Sequence, residues 1–231
     1  MGAKKILKRM FGIKNKKGLC GHYWESYNRS FFIANKIKLA GLKDARLLDV
    51  GGNKKDNLLA GLGIKNITVL NILKDADIVA SAHKIPLADK TFEYVACMDM
   101  LEHVPQEARE QVIKELVRVA KIAVFIVAPI DSKENNLVEE FVLKYLPAQF
   151  VKEHRVFGLV NFDRIKSTIE AIKKEGRVES FEESDLDNLM PWTMLLLGDK
   201  VEPSKLYQEL YFLENKFHPR RKAFSIYLKQ Y

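Results

Sequence analysis

The segment from Arg46 to Gly52, RLLDVGG, places an acid and two glycines at the end of a short apolar run. A carboxylate accepts strong hydrogen bonds from a cationic ligand group, and glycine lets the backbone approach a ligand closely. An apolar run that ends in this way is typical of a buried parallel strand followed by a loop that lies against a ligand. A plain tight turn has the same composition, so the motif alone leaves both interpretations open.

A second apolar run, ITVLN, favours the ligand-binding interpretation. It ends at Asn71, which follows Asp49 by 22 residues. In a Rossmann-like unit about 20 residues separate the first turn from the residue that faces a nucleoside ribose. The spacing therefore predicts a nucleoside site at the ends of these two strands.

The rest of the chain alternates between strand-like and helix-like patterns. Further strands are predicted at Ile78 to Ala80, Phe92 to Cys97, Ile122 to Ala128, Val178 to Glu182 and Ala223 to Leu228. Helices are predicted at Tyr23 to Ala40 with Gly41 as its C-cap, at Gln106 to Ala120, at Glu134 to Leu146, and from a cap at Asn161 or Asp163 to Gly176. The segments Leu189 to Leu197 and Pro203 to Phe217 are apolar and predicted helical, and they would roof an acceptor pocket or form a subunit interface.

In this order the segments resemble the class I S-adenosylmethionine-dependent methyltransferases, specifically their type 11-like, small-molecule and glycan branch. The matching phrases between Arg46 and Pro129 are LLDVGG, AHKIPLADKTFEYV, MDMLEHV and IAVFIVAP. The resemblance implies an α/β, Rossmann-like fold with a roughly seven-stranded, mostly parallel sheet, an antiparallel last strand and helices on both faces. It also implies S-adenosylmethionine as the cofactor and a transferase activity.

The resemblance further implies a cofactor-binding role for each position that matches a motif. Asp49, Gly51, Gly52 and Asn53 would contact the methionine end of the cofactor, and Asn71 would contact the ribose. Ser81, Ala82 and His83 would lie beside the adenine. Asp99, Met100 and Leu101 would form the remaining wall of the site.

The chain also departs from the family at several of these positions. Asn53 and Lys55 stand where the family repeats glycine, and Asn71 and Ser81 stand where it usually has acids that accept from the ribose and the adenine. Charge-assisted acceptors are stronger than neutral ones, so these changes predict weaker cofactor binding. Asp75 or Asp77, close to Asn71 in sequence, would be able to replace the ribose acceptor.

Two histidines are the candidates for catalysis, with Glu102 as a third, if the acceptor is a hydroxyl or a protonated amine, which requires a general base. His154 is expected in an irregular turn after the fifth strand, and His103 opens a helix within the phrase LEHV. No metal-ligand spacing, serine-triad spacing or phosphate-binding loop is evident in the sequence, so we expect no metal site.

The net charge of +8 is concentrated near the start of the chain. Of the 38 lysines and arginines, seven lie in residues 1–17, which contain no acid, and the other 31 nearly balance the 30 acids. Residues 1–17 would form a basic amphipathic helix on an anionic membrane surface, a solvated tail, or a contact to RNA phosphates. Residues 18–231 are expected to form a single methyltransferase-like domain.

Composition gives a cytoplasmic localisation as the expectation, with peripheral contact to the inner membrane face through the basic leader. The sequence contains neither a run of about 20 apolar residues nor the apolar core of a signal peptide. The two cysteines, Cys20 and Cys97, are far apart, and a disulfide is not expected.

Three functions are compatible with these features. The first is an S-adenosylmethionine-dependent methyltransferase that acts on a small molecule or on a glycan or lipid-linked acceptor, as a monomer or an oligomer. The second is a methyltransferase-like binding or regulatory protein without catalysis, favoured by the substituted loop, Asn71 and Ser81. The third, RNA methylation, lacks an aromatic-flanked catalytic signature such as Asn-Pro-Pro-Tyr.

Overall fold

Seven strands form a single sheet in the part of the chain that the structure, a computed structural model, describes: residues 21–41, 44–55, 57–189, 193, 197, 201–210, 213 and 217–230. The order across the sheet is β3-β2-β1-β4-β5-β7-β6. The strands are β1 Arg46–Val50, β2 Asn66–Asn71, β3 Ile78–Val79, β4 Phe92–Met98, β5 Ala120–Pro129, β6 Val178–Asn188 and β7 Pro219–Leu228.

Strands β1 to β5 pair in parallel, whereas β7 runs antiparallel to both β5 and β6. The predicted mostly parallel sheet with an antiparallel closing strand is therefore confirmed. The strand order reverses at β1, which lies between β2 and β4. In open α/β sheets such a reversal leaves a crevice at the carboxyl ends of the strands, where ligands bind.

Helices cover both faces of this sheet, as predicted. They are α1 Gly21–Leu39, α2 Leu58–Gly61, α3 Arg109–Val119, α4 Lys133–Tyr145, α5 Gln149–Phe157, α6 Phe162–Lys174 and α7 Pro203–Glu209, with single 3₁₀ turns at Leu101–His103 and Gln106–Ala108. Within the described residues none of the helices combines the length and the apolar character that a membrane span requires.

Alternating side chains of the central strands build two separate cores. In β5, Val124 and Ile126 pack with α3 and α6 on one face, while Ala123 and Phe125 pack with α1 and α2 on the other. This period-two alternation explains why β5 is apolar along most of its length, because a strand with helices on both faces has no solvent-exposed side. A third apolar cluster joins α4 and α5 to the segment around Leu189 and Leu210.

Several predicted boundaries differ from the structure. The stretch Gln106 to Ala120 is a 3₁₀ turn followed by α3, and β6 extends to Asn188, beyond the predicted end at Glu182. The predicted irregular turn around His154 is wrong, because the segment forms the helix α5. Residues 1–17 and most of the predicted helices at Leu189 to Leu197 and after Glu209 lie outside the described residues.

The helix ends that were predicted from capping residues are found where expected. Asn161 caps α6 by accepting a hydrogen bond from the Arg164 N–H at 3.0 Å, whereas Asp163 lies inside the helix. Gly41 follows α1 with φ of +72°, a conformation that favours glycine over every other residue.

Leu116 lies fully buried on α3 against the sheet. We expect Leu116→Ala to lower the free energy of unfolding by about 2–5 kcal/mol, because it removes apolar contacts and leaves a cavity. Lys114→Ala, on the exposed side of the same helix, should change it little. Urea unfolding of both variants tests this, and equal losses would contradict the assignment of the buried face.

Candidate functional site

A cleft runs along the carboxyl ends of β1, β2 and β4, where the strand order reverses. It consists of two cavities, of about 620 Å³ over the ends of β2 and β4 and about 270 Å³ beside α1. Gly51 and Asp99 line both cavities, so the two are adjacent. The larger cavity lies within the range of about 300–1,000 Å³ that is usual for cofactor sites.

The turn after β1 forms the floor between these cavities. Gly51 has φ of +84°, and its N–H donates to the Leu70 carbonyl at 2.8 Å. A Cβ atom at Gly51 would lie 2.5 Å from Cγ of Met100, and one at Gly52 would lie 2.1 Å from Oδ2 of Asp49. Both positions therefore require glycine, and the absence of side chains keeps the cleft open above the backbone.

Asp49 is the buried acid of this turn, with 2% of its surface exposed. Its Oδ2 accepts from the Asn57 side-chain amide at 2.8 Å, while its Oδ1 has no hydrogen-bond partner among the described residues. Burial raises the pKa of the Asp49 carboxyl from its ordinary 3.8 to about 6, although Asn57 and Arg29 favour the charged form. At neutral pH the group is a carboxylate that a cationic ligand would stabilise.

The two lysines of the substituted loop point to acids rather than across the cleft. Lys54 pairs with Asp77, and Nζ of Lys55 lies 3.5 Å from Oδ2 of Asp75. Asp77 also accepts from the Val69 N–H at 3.0 Å. Both acids that the sequence offered as replacements for a ribose acceptor are therefore engaged with the loop. Asn53 shapes the same loop by accepting from the Lys55 N–H at 2.9 Å.

Asn71 at the end of β2 fastens the glycine turn. Its side-chain amide donates to the Gly52 carbonyl at 2.9 Å, and its Oδ1 accepts from the Leu73 N–H at 3.3 Å. An aspartate at this position has no N–H to donate. Asn71 thus has a positioning role in addition to lining the larger cavity.

The expected adenine-side residues Ser81, Ala82 and His83 line the larger cavity together with Met100. The Ser81 hydroxyl lies 2.9 Å from Nδ1 of His83, so these two side chains form one polar group. The structure corrects the expectation for Leu101, which is fully buried in the core instead of lining the cleft. The cause is the 3₁₀ turn that begins at Leu101 and directs this side chain inward.

Asp99 lies between the two cavities with φ of +45°, an uncommon conformation for a residue other than glycine. Arg221 binds both of its oxygens, with Nε at 2.7 Å from Oδ1 and Nη2 at 2.8 Å from Oδ2, and Nη1 of Arg29 lies 2.7 Å from Oδ2. Burial alone would raise the pKa of Asp99, but the two guanidinium groups hold it well below its usual range. The residue is a fixed anion.

The candidate catalytic histidines differ in their access to the cleft. His103 lines the larger cavity, and its Nδ1 lies 2.8 Å from Oε2 of Glu153. Burial and the neighbouring His154 lower the pKa of His103, so its ring is neutral at neutral pH. His154 is 4% exposed within α5, and its Nδ1 lies 2.8 Å from Oε1 of Glu139. It is packed behind His103 and does not line the cavity.

Glu102, which directly precedes His103 in sequence, is also buried. It is 1% exposed, and its Oε2 has no hydrogen-bond partner in the described part of the chain. Burial and the charge of Asp99 raise the pKa of the Glu102 carboxyl above its usual range.

Sequence reasoning missed most of the residues that hold these groups in place. They are Arg29, Asn57, Glu139, Glu153, Asp187 and Arg221. Asn57 had a local signal, because it precedes the helix α2 and its Oδ1 accepts from the Leu59 N–H as an N-cap. The others lie on helices and strands far along the chain and have no motif of their own.

The comparisons with known proteins agree with this geometry. The sequence model of a family described as "Methyltransferase domain" matches residues 60–127, which run from α2 into β5. The chain has the Rossmann-like fold of the class I methyltransferases, and its residues 60–127 are similar to their domain family. A search of curated proteins finds no match.

Solved methyltransferase structures with the same fold align with nearly the whole chain. A SAM-dependent methyltransferase from Archaeoglobus fulgidus has a TM-score of 0.57 at 16% identity, over 89% of this chain and 98% of its own. The plantazolicin methyltransferase BamL, in complex with a triazolic desmethylPZN analogue and SAH, has a TM-score of 0.56 at 11% identity, over 99% of this chain and 92% of its own. Magnesium protoporphyrin IX methyltransferase from Synechocystis PCC 6803, with bound SAH, has a TM-score of 0.52 at 10% identity, over 94% of this chain and 91% of its own.

These similarities confirm the Rossmann-like methyltransferase fold predicted from the sequence. They also support S-adenosylmethionine as the cofactor.

The pKa of Asp49 leads to a prediction about stability in the absence of ligand. Between about pH 4 and pH 6 the folded protein keeps a proton that the unfolded chain has released, so stability falls as the pH rises through this window and does not recover above it. We expect Asn at this position to remove the loss, which makes Asp49→Asn more stable than wild type above pH 6 by about 3 kcal/mol.

Urea unfolding at steps from pH 4 to pH 8 measures this difference. Asp89→Asn is the matched control with the opposite sign, because Arg118 lowers the pKa of the exposed Asp89 carboxyl and its contribution is lost as the pH falls. If Asp49→Asn and wild type differ by the same amount at every pH, Asp49 does not carry the buried charge.

Proposed function

We propose that this chain binds S-adenosylmethionine in the cleft at the carboxyl ends of β1 and β4 and transfers its methyl group to a small-molecule acceptor. One observation carries the proposal. The buried carboxylate of Asp49 presents an oxygen without a partner among the described residues, directly above a turn that requires glycine at Gly51 and Gly52. This combination provides an anionic acceptor in a place where a ligand can approach the backbone.

The smaller cavity fits the methionine end of the cofactor. Its walls carry both signs of charge, with Asp49 as an acceptor for an ammonium group and Arg29 beside it as a donor for a carboxylate. Ser26 and Ser30 of α1 line the same cavity and add hydroxyl groups. An amino-acid zwitterion is the ligand chemistry that such a wall recognises.

The larger cavity fits the adenosine end. Asn71 replaces the family acid at the ribose position, and its Oδ1 is the acceptor there because Asp75 and Asp77 are engaged with the loop lysines. The Ser81–His83 pair offers polar atoms beside the adenine, and Met100 supplies an apolar surface for the ring. These contacts are neutral where the family uses charge, so we expect a lower affinity than in relatives that have both acids.

The acceptor would reach the cofactor from the end of the larger cavity that His103, Val104, Pro105 and Glu153 line. S-adenosylmethionine supplies an already activated methyl group, so the protein mainly positions the acceptor for an in-line approach. His103 is the candidate group that contacts the acceptor, since His154 lies behind it. We favour a small molecule over a glycan, lipid-linked or RNA acceptor because the site is a concave cavity and BamL, with the same fold, is solved with a small-molecule analogue.

Titration calorimetry with S-adenosylmethionine and S-adenosylhomocysteine tests the cofactor site. We expect a dissociation constant on the order of micromolar for wild type and at least about tenfold weaker binding for Asp49→Ala and Gly52→Ala. Gly61→Ala is the matched control, because a Cβ atom there meets no described atom within 4 Å. A folded wild-type protein that does not bind up to about millimolar cofactor would make the non-catalytic binding protein the better account.

Transfer of labelled methyl from S-adenosylmethionine into a fractionated cell extract tests the acceptor class. We expect the label in the small-molecule fraction, and we expect His103→Asn to reduce the transfer at least about tenfold while its cofactor affinity stays near that of wild type. Label that accumulates in the RNA, glycan or lipid fraction would contradict the proposed acceptor class without affecting the cofactor site.

A further inference from the structure

Three side chains at the end of the larger cavity form a cluster that the sequence did not indicate. Glu102 and His103 lie in the 3₁₀ turn after β4, and His154 comes from α5, 51 residues after His103. One nitrogen or oxygen atom from each of the three lies within 4.8 Å of the others. The expectation of no metal site rested on sequence spacing, which cannot detect ligands that tertiary packing brings together.

His154 is oriented by a hydrogen bond in the way that metal-binding histidines usually are, whereas Nδ1 of His103 has a carboxylate nearby without a hydrogen bond to it among the described residues. Nδ1 of His154 lies 2.8 Å from Oε1 of Glu139, and Nδ1 of His103 lies 2.8 Å from Oε2 of Glu153. A carboxylate that accepts from Nδ1–H fixes the ring and leaves the lone pair on Nε2, which makes that nitrogen a better metal ligand. Glu139 is itself held by Nη2 of Arg220 at 2.7 Å, so the orientation of His154 is fixed through two further side chains.

Glu102 supplies an independent observation. Its carboxyl group is almost completely buried, and Oε2 lacks a hydrogen-bond partner among the described residues. A buried carboxyl oxygen without a donor is costly unless a cation or a proton compensates it. Arg109, the guanidinium of the following helix, donates instead to the backbone carbonyls of Val104, Phe157, Gly158 and Leu159.

We propose that Glu102, His103 and His154 bind a divalent first-row transition-metal ion of the zinc type. Two imidazoles and one carboxylate are a common ligand set for such ions, and they leave coordination positions open for other ligands. His103 also lines the 620 Å³ cavity, so the ion lies at the cavity wall. Oxygen or nitrogen atoms of a small molecule in the cavity can then complete its coordination.

This ion gives His103 a specific part in handling the acceptor, and that consequence rests on the proposed function. A Zn²⁺ ion that coordinates a hydroxyl group lowers the pKa of that group and fixes its position. A coordinated His103 acts through the ion instead of as a free base. The ion site itself does not depend on cofactor binding.

Zn²⁺ titration of the full-length chain, purified without a histidine tag and stripped with a chelator, tests the site. We expect one Zn²⁺ per chain with a dissociation constant of about 1 µM or lower. Glu102→Gln and His103→Asn should each weaken binding at least about tenfold, and Glu139→Gln should weaken it by a similar factor through the orientation of His154. Substitution with Co²⁺ should give a visible absorption spectrum of nitrogen and oxygen coordination.

Matched controls separate this cluster from other metal ligands of the chain. Glu110→Gln and His83→Asn remove one carboxylate and one imidazole outside the cluster, and both should bind Zn²⁺ like wild type. Circular dichroism and the thermal unfolding midpoint establish that each variant is folded before it is scored, and Co²⁺ spectroscopy on wild type does not require any variant.

Two results would overturn the proposal. One is a folded wild-type chain that binds no Zn²⁺ at about 100 µM, which would show that the cluster is a hydrogen-bonded network with a protonated Glu102. The other is Zn²⁺ binding that neither Glu102→Gln nor His103→Asn weakens. Because the titration contains no S-adenosylmethionine, its result is distinct from the success or failure of the cofactor titration.

Discussion

The arrangement of the cleft depends on the ion pairs of Asp99. Its carboxylate sits at the carboxyl end of β4 in a left-handed conformation, and Arg29 of α1 and Arg221 of β7 bind it from two sides. Nη1 of Arg221 also lies 3.2 Å from Asp187 at the end of β6, and Asp187 accepts from Asn28 of α1 at 2.7 Å. This network joins the helix that covers the smaller cavity to three strands, and it fixes the residue that separates the two cavities. Removal of either arginine would leave the largely buried charge of Asp99 without full compensation, which is more costly than the loss of a surface ion pair.

The compensated anion of Asp99 is flanked by two buried carboxyl groups that are not fully compensated. Asp49 lies on the side of the smaller cavity and Glu102 on the side of the acceptor, and each has one oxygen without a partner among the described residues. Burial raises the pKa of Asp49 and Glu102, whereas the guanidinium groups of Arg221 and Arg29 outweigh burial at Asp99 and lower its pKa. Neither Asp49 nor Glu102 receives a direct hydrogen bond from a guanidinium group in the described part of the chain. Such groups lower the stability of the free protein and are typical of functional sites. An ammonium group of the cofactor would compensate Asp49, and a divalent ion would compensate Glu102.

The sequence predicted the features that depend on short segments. The ends of β1, β2 and β4, at or next to Asp49, Asn71 and Asp99, follow from apolar runs. The caps at Gly41 and Asn161 follow from local backbone chemistry. It did not predict which charged groups would meet, because Arg29 and Arg221 reach Asp99 only through the packing of α1 and β7 against the sheet. The same limit applies to His154. Local composition around it is compatible with a turn or a helix, and only the helix α5 places it behind His103 and beside Glu139.

The substitutions in the glycine loop and at Asn71 would each weaken the cofactor-binding motif if they occurred alone. Together they form one consistent set of contacts. An acid at position 71 would place a carboxylate next to the Gly52 carbonyl, to which the Asn71 amide now donates at 2.9 Å. Lys55, at a glycine position of the family, and its neighbour Lys54 pair with Asp75 and Asp77, and these pairs draw the loop towards the β2–β3 connection. Each substitution therefore compensates another, and the turn at Gly51 and Gly52 keeps the close approach that the cleft requires. What the loop loses is charge on the ribose side of the cleft, so the expected consequence is reduced affinity for the cofactor in a site whose shape is retained.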